Sequence, residues 1–123
     1  MREKIELFKV LSETNRVRIL MMLMQRELCV CEITSILQLS TATVSKHLSY
    51  LRENGFIEDY KDGKWIYYKI VDNPKNEMVK TILEYLPLWF SNEDKVIQDL
   101  VKVISVDRCK LSRTENRRLQ DVL

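Results

Sequence analysis

The sequence is poor in the residues that interrupt helices and in those that bind metals: its 123 residues include two glycines, two prolines, three cysteines and one histidine. So few turn formers favour helices over a many-turned all-β fold. An odd number of cysteines in a chain of intracellular character argues against a disulfide framework and leaves the thiols reduced. There is no nucleophile–histidine pairing, no glycine-rich phosphate loop and no convergent pair of carboxylates, so an enzyme is not expected. No apolar run approaches the roughly 20 residues of a membrane span. The N-terminal "MREKIELFKV" reads as an amphipathic helix and not as a signal peptide, which gives a cytoplasmic protein with no membrane partner. A net charge of +2 neither demands nor forbids nucleic acid.

What the chain does have is helical periodicity over the length of one domain. Ile5, Phe8 and Leu11 mark a first helix ending near Ser12. Thr14 is placed to cap a second, with Val17, Ile19, Leu20 and Leu23 turned inward and Met21, Met22 and Met24 filling a core or an interface. Val30, Ile33, Ile36 and Leu37 outline a short third helix, "QLS" is a tight connection, and Ser40 or Thr41 caps a fourth helix running to about Asn54. Gly55 stops it.

In that fourth helix Val44, Leu48 and Leu51 face inward, and Ala42, Ser45, Lys46 and Ser49 face outward. From Ser40 to Arg52 there is no acidic residue. Two helices joined by so short a turn, the second polar and acid-free on its outer side, make a helix-turn-helix. "FIEDYKDGKWIYYKI" follows, two β-branched and aromatic runs joined around Asp62-Gly63, and a hairpin in this place is a wing. Trp65, Ile66 and Tyr68 suit a hairpin that covers the core, whereas Lys61 and Lys64 at its tip suit phosphate oxygens.

Beyond Pro74, Met78, Val79, Ile82, Leu83 and Leu86 form an apolar stripe that Pro87 is expected to break. Ser91 and Asp94 have the spacing of a capping box opening a last helix with Val96, Ile97, Leu100, Val101 and Ile104 apolar. So small a domain cannot cover its first helix and both C-terminal helices, so these are expected to form a two-fold dimer interface. The expected fold is mainly α with a β-hairpin wing (α+β): a winged helix-turn-helix homodimer, with DNA binding and dimerisation in residues 1–106 and a polar tail over 107–123.

"ELCVCEI", "LSTATVSKHLSYLRENGFI" and "DGKWIYYKI", in that order, resemble the ArsR/SmtB family of bacterial winged-helix repressors, over roughly Ile5 to Val71. The resemblance implies a homodimer that occupies an operator and leaves it when a metal ion or metalloid binds. It makes "ELCVC" the soft-metal site, sensing arsenite, antimonite, cadmium or lead. Two departures matter. The arsenite-sensing pattern commonly places a third cysteine where this chain has Thr34. The family's other site, histidines and carboxylates on the C-terminal helix for zinc or nickel, is excluded because the one histidine is His47, in the fourth helix.

Thiolates select soft, thiophilic ions. On a regular helix, residues two apart point about 200° from one another, so Cys29 and Cys31 can share an ion only if their backbone is non-helical or becomes so. Exposed N–H groups at a helix start bias a thiol toward thiolate, and Glu27 and Glu32 oppose this. Two thiols are one short of a three-coordinate arsenic(III) or antimony(III) centre, leaving Cys109, Thr34, water or a small thiol as the third ligand. The candidate metal ligands are Cys29 and Cys31, with Cys109 as a candidate third, and no organic cofactor is expected.

Helix-turn-helix geometry puts the start of the fourth helix at base edges, so Thr41, Thr43, Ser45 and Lys46 are the candidate readers, with the outward Ser49 a further DNA contact and Tyr50, Arg52, Lys61 and Lys64 on the backbone of double-stranded DNA. His47 falls nearer the buried side and reads as a packed residue. A dimer of such units reads an inverted repeat with half-sites about one helical turn apart. The leading function is a repressor released by a thiophilic metalloid, arsenite or antimonite before cadmium or lead. The alternatives are a winged-helix repressor sensing oxidants or persulfides, and a winged helix that binds proteins and no metal.

Overall fold

The computed structural model describes residues 1–106; Cys109 and the tail lie outside the described residues. In chain order the elements are α1 (Arg2–Leu11), α2 (Thr14–Gln25), β1 (Leu28–Cys29), α3 (Val30–Leu37), α4 (Thr41–Glu53), β2 (Ile57–Asp62), β3 (Trp65–Ile70), α5 (Glu77–Phe90) and α6 (Asp94–Ser105). The three strands form one antiparallel sheet in the order β1-β3-β2. This is a winged helix-turn-helix. Its core is built on Ile19, Leu20 and Met22 of α2, Leu28, Ile33 of α3, Leu48 and Leu51 of α4, and Phe56, all buried. Met21 is also buried and Met24 packs against the same cluster, so the methionines fill the core.

The ends of α4 explain its placement. The Ser40 hydroxyl accepts the Thr43 N–H at 3.1 Å. At the other end Gly55, at φ +84°, lets its N–H reach the Arg52 carbonyl while the Phe56 N–H reaches that of Leu51, both at 3.1 Å. This pair of bonds is a Schellman motif, and the buried Phe56 anchors it. Gln38, at φ 56°, ends α3 in the left-handed region and turns the chain toward α4. The β2–β3 register pairs Asp62 with Trp65, so Gly63 and Lys64 are the whole loop. Gly63 at φ +62° supplies the positive φ that a type II′ hairpin needs at its first central position. Tyr68 and Ile70 pack on the core, but Ile66, expected to cover it, is 45% exposed.

Three expected helix boundaries are different. Thr14 is the first residue of α2 and not its cap; the Glu13 carboxylate accepts the Arg16 N–H at 3.1 Å. Pro87 does not break α5, which continues to Phe90. Pro87 forfeits one bond to the preceding turn, but the flanking turns are held by buried Leu86, by Phe90 against the core, and by Tyr85 and Trp89 stacked with ring centres 5.9 Å apart. Because α5 runs on, Ser91 ends it, donating its N–H to the Pro87 carbonyl at 3.0 Å. The Ser91 capping box is therefore absent, and α6 starts after Glu93 with no side-chain cap.

Helix α6 lies along α2 through a buried ion pair: Arg18 donates Nε to Asp99 Oδ2 at 2.7 Å and Nη2 to Oδ1 at 2.9 Å. Each helix expected to dimerise leaves apolar side chains exposed: Ile5 and Phe8 on α1, Leu88 and Trp89 on α5, Val101 and Ile104 on α6.

Candidate functional site

The thiol pair sits where a strand becomes a helix. Cys29 ends β1 in extended backbone (φ −87°, ψ 164°) and caps α3, in which Cys31 is the second residue. One extended residue is enough to bring the sulfurs together, and the two Sγ atoms are 2.7 Å apart. The expectation that the backbone here is non-helical, or becomes so, is met at Cys29 alone, since Cys31 is helical. Two sulfurs on one centre, with bonds of about 2.3 Å, stand about 3.5 Å apart, so a small side-chain rotation fits the pair to an ion. Cys29 is 1% exposed and Cys31 half-buried. Burial, then the hydrogen bond with Cys31, pushes the Cys29 thiol up to about 12. Burial thus outweighs the helix start, and Cys29 is a protonated thiol near neutral pH.

Sequence reasoning missed the support behind the pair. The Glu32 carboxylate, buried, accepts the Cys29 N–H at 3.0 Å. Arg26 donates Nη2 to Glu32 at 3.3 Å, and the same nitrogen reaches the carbonyls of Val103 at 3.1 Å and Val106 at 2.7 Å at the end of α6. The Glu32 half had a signal: a glutamate three residues after a helix cap is capping-box spacing, with cysteine where serine or threonine is usual. No sequence pattern marked the Arg26–carbonyl contacts.

Two routes lead from the pair to the candidate DNA surface. Cys29 stands opposite Tyr67 in the β1–β3 ladder, so β1 is a third strand of the wing sheet. The Tyr60 hydroxyl donates to Glu27, just before β1, and the Tyr60 ring stacks on Tyr67 at 5.5 Å. The second route is α3 itself, joined by Gln38–Ser40 to α4. Between the two lies an open pocket of about 700 Å³ lined by Cys29, Cys31, Thr34, Thr41, Lys64 and Trp65 among others.

Of the candidate DNA contacts, Thr41, Thr43, Ser45 and Lys46 are exposed in the first half of α4, with Ser49 half-buried after them. The Thr43 hydroxyl also accepts from Ser40 at 2.9 Å. Lys61 and Lys64 are exposed at the wing, Lys64 with its ammonium 5.1 Å from the Trp65 ring centre. Tyr50 and Arg52 have partners within the chain: the Tyr50 hydroxyl donates to Glu6 beneath the Arg16 guanidinium, and Arg52, at the surface, donates to Asp59 at 2.9 Å. His47 is packed, with Nε2 3.8 Å from Glu13. Among the described residues no three Cys, His, Asp or Glu side chains converge as a metal site.

Residues 13–59 match the family model described as bacterial regulatory protein, arsR family. The chain is 35% identical over 106 residues to the arsenical resistance operon repressor of Escherichia coli K12, covering 85% of this chain and 87% of that one. It is 42% identical over 78 residues to the cadmium resistance transcriptional regulatory protein CadC of Listeria innocua, covering 63% of this chain and 62% of that one. Among solved structures, HlyU from Vibrio cholerae superposes with a TM-score of 0.63 at 30% identity, over 74% of this chain and 95% of that one.

Proposed function

The chain belongs to the arsR family of bacterial regulatory proteins, which are DNA-binding transcriptional regulators and not enzymes, and we propose that it is a homodimeric repressor released from its operator when arsenic(III) or antimony(III) binds Cys29 and Cys31. The observation that carries this reading is the approach of the two sulfurs to 2.7 Å at the β1–α3 junction, beside the start of α4 and the wing. Similarity to a repressor named for arsenical resistance supports the metalloid; similarity to one named for cadmium resistance keeps cadmium, and with it lead, second. The raised pKa of Cys29 disfavours the redox reading, since oxidants attack thiolates.

Thr41, Thr43, Ser45, Lys46 and Ser49 read the operator, an inverted repeat, and Lys61 and Lys64 hold its phosphates. Tyr50 and Arg52 act by fixing α4 to α1, α2 and β2. The exposed apolar faces of α1, α5 and α6 support the dimer. The third bond of the metalloid falls to Cys109, to water or to a small thiol. In favour of Cys109, Arg26 holds the Val106 carbonyl, three residues earlier in the sequence.

Sulfur–arsenic ultraviolet absorbance tests the site. One arsenite per subunit is expected in the wild type and none in Cys29→Ser or Cys31→Ser; equal binding by all three proteins rejects the pair as the sensor.

A further inference from the structure

The thiol pair supplies two of the three bonds that arsenic(III) makes, and the surroundings of the third are on view. Cys29 is buried, so the pair is reached from the pocket that both cysteines line. No described residue of α6, the element from which the tail departs, lines that pocket. Its lining mixes apolar side chains (Val30, Leu39, Trp65 and Ile66) with the hydroxyl-bearing Thr34, Ser35, Ser40 and Thr41, and Lys64 of the wing brings a positive charge to it. Its volume of about 700 Å³ greatly exceeds what a bound hydroxide or water needs and falls among those of small-molecule sites, roughly 300–1,000 Å³.

We propose that this pocket receives a small anionic thiol as the third ligand, its sulfur completing the metalloid centre and its carboxylate facing Lys64. The proposal rests on the metalloid reading above and names the co-ligand of the same site. The exchange balances without an oxidant. Arsenous acid, As(OH)₃, gives up three As–O bonds for three As–S bonds. Cys29, Cys31 and the incoming thiol each lose a proton, three waters leave, and arsenic stays in the +3 state. A carboxylate beside Lys64 also withdraws that ammonium from DNA phosphate, and a ligand against Ser40 and Thr41 crowds the start of α4. Occupancy and operator binding then compete for the same side chains.

The test reads arsenite binding by sulfur–arsenic absorbance on the full chain without DNA, kept reduced by a phosphine. Mercaptoacetate, 2-mercaptoethanol and cysteamine, similar in size and different in charge, are added in turn to the wild type, Lys64→Ala and Cys109→Ser. In the wild type and Cys109→Ser, mercaptoacetate should lower the half-saturating arsenite concentration about fivefold more than cysteamine does, the size of an exposed ion pair. In Lys64→Ala that difference should disappear. Three thiols of equal effect overturn the proposal. So does binding that needs no added thiol and is lost in Cys109→Ser, which assigns the third bond to Cys109 and leaves the sensor reading intact. No arsenite binding under any condition rejects both.

Discussion

Cys29 and Tyr67 lie opposite one another across the β1–β3 ladder, so one thiol of the pair is carried on a strand of the wing sheet. Any change in the backbone at Cys29 is therefore felt in β3 as well as in α3. Arsenite should alter amide hydrogen exchange at Tyr67 and Tyr68 in the DNA-free protein, and leave it unchanged in Cys29→Ser. A change confined to α3 and α4 would take the wing out of the signal path.

Protonation of Cys29 separates the candidate inducers. Arsenous acid is uncharged near neutral pH, and its exchange with protonated thiols gives off water and no protons. Cadmium must expel protons. A thiol titrating at about 12 remains protonated throughout the neutral range, so cadmium affinity should rise about tenfold per pH unit for each proton released. Between about pH 6 and pH 8 that is at least ~100-fold for cadmium, while arsenite affinity stays flat. Competition with a metal-binding dye, repeated across pH, reads the first; a cadmium affinity indifferent to pH would contradict the protonated thiol.

The same shift bears on stability. Because folding raises the Cys29 pKa from 9.0 to about 12, the protonated thiol favours the folded state. That contribution is complete below about pH 9 and is lost as pH climbs toward 12. Denaturation midpoints should fall more steeply over this window in the wild type than in Cys29→Ala, where parallel curves would place the titration elsewhere.

Asp99 is a charged residue in the face of α6 that meets α2, with both carboxylate oxygens taken by Arg18. Asp99→Ala leaves a buried guanidinium unpaired and should destabilise the fold by roughly 3–5 kcal/mol. Thermal unfolding measures this, and a change under about 1 kcal/mol would show that water replaces the carboxylate at no cost.

On the DNA side, Lys61→Ala and Lys64→Ala should each weaken binding to all sequences alike and lower the salt slope by about 1. Thr41→Ala and Ser45→Ala should instead reduce discrimination between operator and random DNA. Titrations at several salt concentrations on both DNAs distinguish the two classes.

Much of this architecture was legible because local chemistry and global fold agree in it. Ser40, Gly55 and Gly63 are punctuation with one physical meaning each, and the structure uses all three as the sequence implies. The thiol pair was legible as a soft-ligand motif. Its geometry was not, because a two-residue strand is too short to leave a periodic signal and owes its existence to β3, some 40 residues away. Pro87 and Ser91 misled for a related reason: packing of Leu86, Phe90 and Trp89 overrides the local preference to stop. The contacts of Tyr50 and Arg52 within the chain were hidden because their partners Glu6, Arg16 and Asp59 lie on other elements.

The central claim is that occupancy of the Cys29–Cys31 site releases the operator. Fluorescence anisotropy of the reduced protein on DNA from upstream of its own gene, titrated with arsenite, tests it directly. Release by arsenite in the wild type and in Cys109→Ser, absent in Cys29→Ser and Cys31→Ser, is the predicted result. Tight binding that arsenite, antimonite, cadmium and lead all leave unchanged would contradict it.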